Sequence, residues 1–465
     1  MKFRRTKKLH FIGIGGSGMS GIAEILLNMG YDVTGSDLAD SEAVRHLREM
    51  GAKIAIGHEA GNVGEAEVVV ISTAVRPDNP EVISARARFI PVIQRAQMLA
   101  ELMRMKHAIT VAGSHGKTTV TSMASVVMSK GGFDPTIIIG GRVDRFGSGA
   151  KLGKGEFLIA EADESDGSFL NLYPTIAVVT NIDAEHLDFY NNFDNVKSAF
   201  VKFINKVPFY GATILCLDDP VIQEIIPKIE KRFWTYGIVS NADVTASDVS
   251  FDKFNSCFTV KLKGEEVGRL TLGMPGIHNV YNALAAITVG FEMEMESKDV
   301  IGALDGFAGI QRRCQLKGEV GGVMVIDDYG HHPNEIKATV RGVKEGFKDR
   351  RLVVVFQPHR YTRTRDHLTE FGKSFYDADE LIISEIYPAG EAPIKGVEGE
   401  MIVKEAVSHG HKSAMFIKEI ADVTDYLLKN MDKGDIIVTL GAGDVVKVGD
   451  WFLSKFRGSD NQSEK

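Results

Sequence analysis

The stretch GSHGKTT at residues 113–119 lies between two segments of different character. The apolar run AITVA at 108–112 precedes it and is typical of a buried strand, whereas residues 120–130 carry the apolar spacing of a helix. A glycine turn between a strand and a helix presents backbone N–H groups at the helix start, where they bind anions such as phosphate. The stretch therefore predicts an α/β domain with a phosphate loop at this turn.

Two side chains of this loop carry the expected chemistry. Lys117 supplies a positive charge to phosphate oxygens, and Thr118 offers its hydroxyl to a phosphate-bound Mg²⁺. A complete motif has glycine six residues before the lysine, but Val111 occupies that position, so the loop is a shortened form. We expect a nucleoside triphosphate and Mg²⁺ as ligands; the alternative is a glycine-rich turn with an incidental lysine. The predicted nucleotide-binding residues of the loop are Gly113, Ser114, His115, Gly116, Lys117, Thr118 and Thr119.

The rest of the chain repeats this α/β character. Its 465 residues suggest about three domains. Apolar runs such as FLIAE at 157–161 and LVVVF at 352–356 are continuous rather than alternating, which is typical of parallel strands covered by helices on both faces. We expect an α/β fold with a Rossmann-like domain at 1–106, a central P-loop ATPase-type domain with a parallel or mixed sheet at 107–312, and a Rossmann-like domain at 313–465.

Composition excludes several classes of protein. The formal charge of −8 disfavours a general nucleic-acid binder, which needs a basic face. No stretch approaches the roughly 20 apolar residues of a membrane span, and the basic start MKFRRTKK leads into a glycine-rich run rather than a secretory signal. The three cysteines are odd in number and widely spaced, so they indicate neither a disulfide framework nor a zinc site. We expect a cytoplasmic protein.

Another glycine turn lies earlier in the chain, after its first apolar run, and is called the first glycine turn. Gly13, Gly15 and Gly18 match the pattern G-x-G-x-x-G, and Asp37 lies nineteen residues beyond Gly18. This fingerprint is typical of dinucleotide binding, although any nucleotide diphosphate presents a similar group to the helix start. The alternatives are a turn that only packs a helix on a sheet and, for the aspartate, a solvated loop carboxylate. The predicted ligand-binding residues are Gly13, Gly15, Gly16, Ser17, Gly18 and Asp37.

Acidic residues follow the two strands after the phosphate loop. Glu161 ends the run FLIAE, where a second Mg²⁺ ligand is expected, and His186 follows the next strand, where it would bind a cation or simply cap a loop. Asp163, Glu164 and Asp166 stay unassigned, because acidic runs are usually solvated loops. The predicted metal ligands are Thr118, Glu161 and His186.

Two later segments add candidate binding residues. His278, Asn279 and Asn282 lie at a predicted helix start, where asparagine either reads an adenine edge or caps the helix. In the third segment, VMVIDDYGHHP and LVVVFQPHRYTRT place polar side chains beyond two strand ends, and arginines three residues apart can clamp a carboxylate. We expect one shared pocket from Tyr329, His331, His359, Arg360 and Arg363; the alternative is arginines that face solvent.

Taken together, GSHGKTT, EADESDGSFL, DDYGHHP and PHRYTRT resemble the motifs of the Mur ligases from about residue 9 to about residue 444. Tripeptide-recycling members share the loop and the HHP motif but are expected to lack EADESDGSFL and PHRYTRT. The resemblance implies a cytoplasmic enzyme of cell-wall synthesis, and through it of cell shape and division, that uses ATP and Mg²⁺ to join L-alanine to UDP-N-acetylmuramate. It implies a monomer or weak homodimer.

The resemblance also implies roles for the candidate residues. The first glycine turn would hold the UDP diphosphate with Asp37 near uridine, the residues from 278 to 282 would lie near adenine, and the cluster of the third segment would surround L-alanine. An acyl phosphate would form first, and His331 or His359 is a hypothesis for the base that frees the amine. The catalytic residues implied are Lys117, His186, His331, His359, Arg360 and Arg363.

Two other functions stay open at this point. The motif GIGGSG with Asp37 is compatible with a nicotinamide-dependent oxidoreductase. The phosphate loop is compatible with a nucleotide-hydrolysing switch that needs no amino acid as acceptor. Binding of NAD(P)H without ATP turnover would favour the oxidoreductase, and ATP hydrolysis without an amino acid would favour the switch.

Overall fold

The computed structural model describes residues 6–16, 18–72, 74–139 and 150–463, with side chains up to 457. These residues form three β-sheets with helices between the strands. The described chain divides into two compact units. The first comprises residues up to 247 with 259–270 and 281–304, and the second comprises 248–258, 271–280 and the chain from 305. The predicted domain boundaries at 106 and 312 stay a prediction.

The first sheet has five parallel strands in the order β3-β2-β1-β4-β5. The order reverses beside β1, so the crevice beyond the carboxyl end of β1 is where such a fold binds ligands. Its packing explains the continuous apolar sequence, because Val69 and Ile71 pack with Val82 of α3 in one core cluster. The elements are β1 (Lys8–Ile12), α1 (Met19–Asn28), β2 (Asp32–Asp37), α2 (Glu42–Glu49), β3 (Lys53–Ile56), β4 (Val68–Ile71), α3 (Pro80–Ala87), β5 (Val92–Gln94) and α4 (Arg95–Met103).

The second sheet has ten strands in the order β15-β14-β13-β12-β11-β10-β6-β9-β7-β8. β6 lies between β10 and β9 and is parallel to both, while β7 and β8 are antiparallel. The elements are β6 (His107–Ala112), α5 (Lys117–Lys130), β7 (Thr136–Ile138), β8 (Ala150–Lys151), β9 (Phe157–Glu161), β10 (Ile176–Val179), α6 (Leu187–Tyr190), α7 (Phe193–Ile204), β11 (Ala212–Cys216), α8 (Pro220–Ile225), β12 (Phe233–Gly237), β13 (Val244–Asp252), β14 (Asn255–Leu262), β15 (Glu265–Leu272), α9 (Ile277–Glu292) and α10 (Ser297–Leu304).

The third sheet has six strands in the order β16-β17-β21-β18-β19-β20, and β16 alone of them pairs antiparallel. One buried cluster lies on each face, and Val354 and Val355 of β18 point into opposite ones. The elements are β16 (Gln315–Val320), β17 (Val323–Asp328), α11 (Pro333–Gly346), β18 (Leu352–Phe356), α12 (Tyr361–Asp366), α13 (Leu368–Gly372), β19 (Glu380–Ile383), α14 (Glu400–Ser408), β20 (Ala414–Phe416), α15 (Ile420–Asn430), β21 (Ile436–Leu440) and α16 (Val446–Ser463). The predicted fold class, with parallel and mixed sheets, is confirmed.

Candidate active site

The phosphate loop joins β6 to α5 through two glycines that no other residue can replace without strain. Gly113 has a φ of +132°, and a Cβ built on it would lie 2.1 Å from the Thr180 hydroxyl oxygen. Gly116 has a φ of +82° and is the N-cap of α5, so the backbone turns sharply into the helix. The loop therefore lies tightly against the end of the neighbouring strand β10.

Polar groups after β10 fix the loop backbone. The Ser114 N–H donates to the Asn181 carbonyl at 3.1 Å, and the His115 N–H donates to the Asn181 side-chain oxygen at 2.8 Å. The Asn181 amide and the Thr180 hydroxyl in turn donate to the His115 carbonyl, at 3.1 and 2.6 Å. Sequence reasoning missed this role of Asn181, although the residue stands at a strand end beside the loop. The loop is held in shape by the protein itself.

Lys117 is enclosed by three acceptors. Its ammonium donates to the carbonyls of Gly113 and Ser114, at 2.6 and 3.2 Å, and to the Glu164 carboxylate at 2.7 Å. Burial lowers the pKa of Lys117, but the Glu164 carboxylate outweighs burial and leaves this pKa above its usual value. Lys117 is therefore a cation at neutral pH. Glu164, which the sequence left unassigned, is its partner.

The predicted metal ligands lie at the same edge of the sheet. Glu161 is the last residue of β9 beside β6, and Thr118 is in the first turn of α5. His186 has its Nε2 at 3.6 Å from a Glu185 oxygen and at 4.0 Å from Glu164 Oε1. Within the described residues, Glu164 Oε2 is buried without a hydrogen-bond partner. Carboxylate oxygens are ligands that Mg²⁺ prefers, so this acidic set fits a divalent cation.

The first glycine turn is organised by the end of β2. Gly13 donates its N–H to the Ser36 carbonyl at 2.8 Å, and Gly15 donates its N–H to the Asp37 carboxylate at 2.8 Å. The second Asp37 oxygen accepts the N–H of Ala39 at 3.2 Å. The structure thus places Asp37 in the turn itself. Its predicted position near a uridine stays a prediction.

The remaining turn residues complete the entry into α1. Gly16 donates its N–H to the Gly13 carbonyl at 3.1 Å, and Gly18 is the N-cap of α1 with a φ of +77°. Ser17 lies outside the described residues. The turn therefore presents the start of a ten-residue helix at the carboxyl end of β1, which is the arrangement that binds a diphosphate in dinucleotide folds.

A buried carboxylate lies beneath this turn. The Glu81 side chain has no exposed surface and accepts four hydrogen bonds: from His10 Nε2 at 2.7 Å, Ser36 Oγ at 2.8 Å, His58 Nδ1 at 3.0 Å and Asn62 Nδ2 at 3.2 Å. Burial raises the pKa of Glu81, but the hydrogen bonds from His10, Ser36 and Asn62 outweigh burial and leave this pKa below its usual value. Glu81 therefore ties together β1, β2 and the segment after β3.

The three residues predicted to lie near adenine are in the first two turns of α9. Asn282 places its side-chain oxygen 2.5 Å from a Cβ built on Gly116, so it adjoins the phosphate loop. The Asn279 amide donates to the Pro275 carbonyl at 2.8 Å, as a local cap does. Burial lowers the pKa of His278 to about 4, so this imidazole is neutral at pH 7. Of the three residues, only Asn282 belongs to the first unit, where it adjoins the phosphate loop. Adenine binding stays a prediction.

In the second unit, the segments after β17 and β18 come together. The rings of Tyr329 and His331 are 5.5 Å apart, and those of His331 and His359 are 5.7 Å apart. Arg363 Nη1 donates to His359 Nδ1 at 3.2 Å. His331 Nδ1 contacts the Tyr329 carbonyl at 3.2 Å, which requires this nitrogen to carry the proton. The predicted shared pocket of two strand ends is present.

Both histidines of this pocket are neutral at pH 7. Burial lowers the pKa of His331 to about 4, with Arg363 adding to the effect against Glu335. Burial, then His331 and the two arginines, lower the pKa of His359 to about 4. With its proton on Nδ1, His331 keeps a lone pair on Nε2 that can accept a hydrogen bond, whereas the lone pair of His359 on Nδ1 already accepts from Arg363.

Arg360 occupies a backbone conformation that side chains rarely adopt. Its φ is +73° at the N-cap of α12, and its N–H donates to the Tyr387 carbonyl at 2.9 Å. Among the described residues, no carboxylate forms an ion pair with its guanidinium. Strained residues of this kind cluster at binding sites. Arg363 follows one turn further on, so two positive charges lie beside this cluster, and the predicted carboxylate clamp stays a prediction.

The chain thus has the parts expected of a nucleotide-dependent α/β enzyme, with a strand-turn-helix loop of the phosphate-binding type in one sheet and a cluster of arginine and histidine side chains beyond two strands of another. Three family models match it in order: the Mur ligase family, catalytic domain, at residues 8–107, the Mur ligase middle domain at 111–290, and the Mur ligase, glutamate ligase domain, at 312–443. The chain belongs to the Mur ligase family, and the resemblance seen in its motifs is confirmed.

Several relatives are similar over nearly their full length. The UDP-N-acetylmuramate–L-alanine ligase of Geotalea daltonii is 54% identical over 98% of this chain and 99% of its own. That of Geobacter sulfurreducens is 53% identical over 97% and 98%. Among solved structures, the UDP-N-acetylmuramate–alanine ligase of Thermotoga maritima matches with a TM-score of 0.84 at 29% identity over 97% and 99%. A murein peptide ligase of Psychrobacter arcticus matches with a TM-score of 0.72 at 25% identity over 97% and 98%.

The family is ATP-dependent and acts in peptidoglycan precursor synthesis. No helix among the described residues is long and apolar enough to cross a membrane.

Proposed function

We propose that this chain joins L-alanine to UDP-N-acetylmuramate with conversion of ATP to ADP and phosphate. The observation that carries the proposal is the identity of 54% to relatives of that name over 98% of the chain. The two anion-binding turns of the first unit and the arginine pocket of the second suit a nucleotide sugar, ATP and an amino acid. The reaction would take place in the cytoplasm.

The first step activates a carboxylate. A carboxylate is a poor acyl donor, so the lactyl carboxylate of the sugar attacks the γ-phosphate of ATP, and ADP leaves from an acyl phosphate. Lys117, half-buried and charged, stabilises the transferring phosphoryl group, because a preorganised charge partly shielded from water acts strongly on charge that develops there. The backbone N–H groups of the preformed loop add to this stabilisation.

A divalent cation belongs to the same step. Thr118, Glu161 and His186 would hold Mg²⁺, and the buried Glu164 oxygen without a hydrogen-bond partner in the described residues supports a cation at this place. When bound, Mg²⁺ supplies positive charge to the phosphate oxygens.

The second step forms the amide bond. The alanine amine attacks the acyl carbon, and phosphate leaves from the tetrahedral intermediate. Arg360 and Arg363 would bind the alanine carboxylate, and the lone pair on His331 Nε2 would accept a hydrogen bond from the amine, while His359 accepts from Arg363. Since a pKa of about 4 makes the His331 imidazole a weak base, we infer that this ring orients the amine and that the proton lost by the nitrogen leaves with the phosphate.

Phosphate release tests the proposal. We expect release from ATP only when UDP-N-acetylmuramate and L-alanine are both present, measured against a panel of amino acids and the tripeptide that recycling ligases use. Turnover with the tripeptide and not with alanine would assign the chain to the recycling type instead. Release without any acceptor would point to a nucleotide-hydrolysing switch.

The amino-acid pocket has its own test. Arg363→Ala removes one charged donor to the alanine carboxylate, so we expect the KM for L-alanine to rise by roughly 30-fold or more while the KM for ATP changes little. Arg365→Ala is the matched control, because Arg365 lies in the same helix and pairs with Asp366. An unchanged KM for L-alanine in the Arg363 variant would show that Arg363 does not bind the alanine carboxylate.

A further inference from the structure

Arg95, the first residue of α4, lies against the first glycine turn. Its Nη1 is 2.6 Å from a Cβ built on Gly18, and its Cδ and Cζ are the next nearest atoms. Its Nη2 donates to the Asp163 carboxylate at 2.9 Å. The side chains of Arg95 and Asp163 are 28% and 40% exposed, so a ligand can reach the guanidinium from solvent. Sequence reasoning assigned neither residue.

The charges at this turn explain why a cation is needed there. The sequence GIGGSG at 13–18 contains no lysine or arginine, whereas the phosphate loop carries its own lysine. The carboxylate of Asp37 accepts the Gly15 N–H, so the turn already contains a negative charge. A diphosphate that approaches the start of α1 meets this carboxylate, and backbone N–H groups alone have to offset the repulsion. A guanidinium beside Gly18 supplies the missing positive charge.

We propose that Arg95 binds the diphosphate of the sugar nucleotide at the first glycine turn, with Asp163 holding the guanidinium in position. The guanidinium suits this task, because its planar fork presents separate N–H groups to two anions at once. Nη2 faces Asp163, and Nη1 faces the turn. The inference rests on the proposed function and adds a binding residue to the same site.

The arrangement also connects the two turns through one loop. Asp163 is followed by Glu164, which forms the ion pair with Lys117. The loop after β9 therefore holds the cation of each turn with one of two adjacent carboxylates. Arg95 and Lys117 have matching positions in this respect, each next to a glycine turn and each paired with an acidic residue of the same loop.

Binding of UDP-N-acetylmuramate, UDP and uridine to Arg95→Ala tests the inference by calorimetry or by competition in the phosphate-release assay. We expect the affinity for UDP and for the sugar nucleotide to fall on the order of 30-fold, because a charged hydrogen bond to phosphate is lost. The weak affinity for uridine, which has no phosphate, stays the same. Arg95→Lys keeps the charge but lacks the planar fork, so its affinity for UDP should lie between those of the unaltered protein and of Arg95→Ala.

Arg104→Ala is the matched control, because Arg104 follows the same helix and pairs with the exposed Glu101. Equal UDP affinity in the Arg95 and Arg104 variants would overturn the inference. An equal loss for UDP and uridine together with a lower Tm would also overturn it, since the residue would then act on the fold. If the unaltered protein binds no sugar nucleotide at all, the proposed function fails instead.

Discussion

The two glycine turns of the first unit share one backbone plan and differ in how charge is placed. Both follow a parallel strand and end at a glycine with left-handed φ that caps a helix, Gly18 in one and Gly116 in the other. In the phosphate loop the cation belongs to the motif and a carboxylate holds it. In the first turn a carboxylate belongs to the motif and holds a backbone N–H.

The difference indicates what each turn does. A cation within the motif supplies positive charge to phosphate oxygens at the helix start, so the phosphate loop suits phosphoryl transfer. The first turn has no cation within its own motif, and its N–H groups suit a diphosphate that is bound and not cleaved. Under the proposed function, the same strand-turn-helix unit would serve catalysis in one place and binding in the other.

The largest expected effect comes from removing the lysine of the phosphate loop. Lys117→Ala should lower kcat/KM by roughly 1,000-fold, because the half-buried charge that stabilises the transferring phosphoryl group is lost. It also leaves Glu164 buried without a partner, so the Tm should fall, and adding Glu164→Gln should restore the Tm but not the activity. Lys130→Ala, at the far end of the same helix, should change neither quantity. Activity restored in the double variant would contradict the assignment.

Beneath the first turn, Glu81→Gln should lower the free energy of unfolding by about 3 kcal/mol at pH 7, because four donors lose a buried carboxylate. The pKa of Glu81 is lowered by folding, so its contribution is present above the unfolded value of about 4.3 and is lost as pH falls through the lower folded value. Urea unfolding from pH 7 down to well below the unfolded value of about 4.3 should show a constant difference near neutral pH and the two proteins converging only at the acid end. The exposed Glu59→Gln is the control, and a pH-independent difference would refute the ionic role.

In the first turn, Asp37→Ala removes the acceptor of the Gly15 N–H. An unsatisfied donor costs about 1–3 kcal/mol, so we expect the KM for UDP-N-acetylmuramate to rise roughly tenfold. The KM for ATP should stay within about twofold, since the other turn is untouched. Asp40→Ala, three residues from Asp37, removes an exposed ion pair with Arg48 and serves as the control. Equal changes in both KM values would mean that the turns do not act separately.

The smallest effect is expected at Glu164. In Glu164→Gln a neutral amide replaces the carboxylate that competes with phosphate for Lys117. ADP measured by calorimetry with a metal chelator present should therefore bind about fivefold more tightly. Asp166→Asn alters the same loop without touching the lysine. Weaker ADP binding in the Glu164 variant would show that this carboxylate supports the nucleotide instead of competing with it.

Local patterns predicted most of the fold. AITVA, GSHGKTT and the following helix lie within about two dozen residues, and hydrophobic spacing with glycine placement determines such a unit. The partners of the site residues are a different matter. Glu164 is 47 residues from Lys117, and Glu81 is 71 from His10. The loop after β9 contains three acidic residues, Asp163, Glu164 and Asp166. Which of them pairs with Lys117 depends on the register of β9 beside β6, and the sequence does not indicate that register.

The left-handed backbone at Arg360 has an evolutionary consequence. A conformation of this kind costs a side chain about 1–3 kcal/mol relative to glycine, which would adopt it freely. Mutation toward glycine is therefore favoured by folding stability at this position and opposed only by the need for a guanidinium. An arginine retained here across descendants of this chain would record selection for the ligand, whereas glycine would mark a lineage in which the pocket has lost its anion.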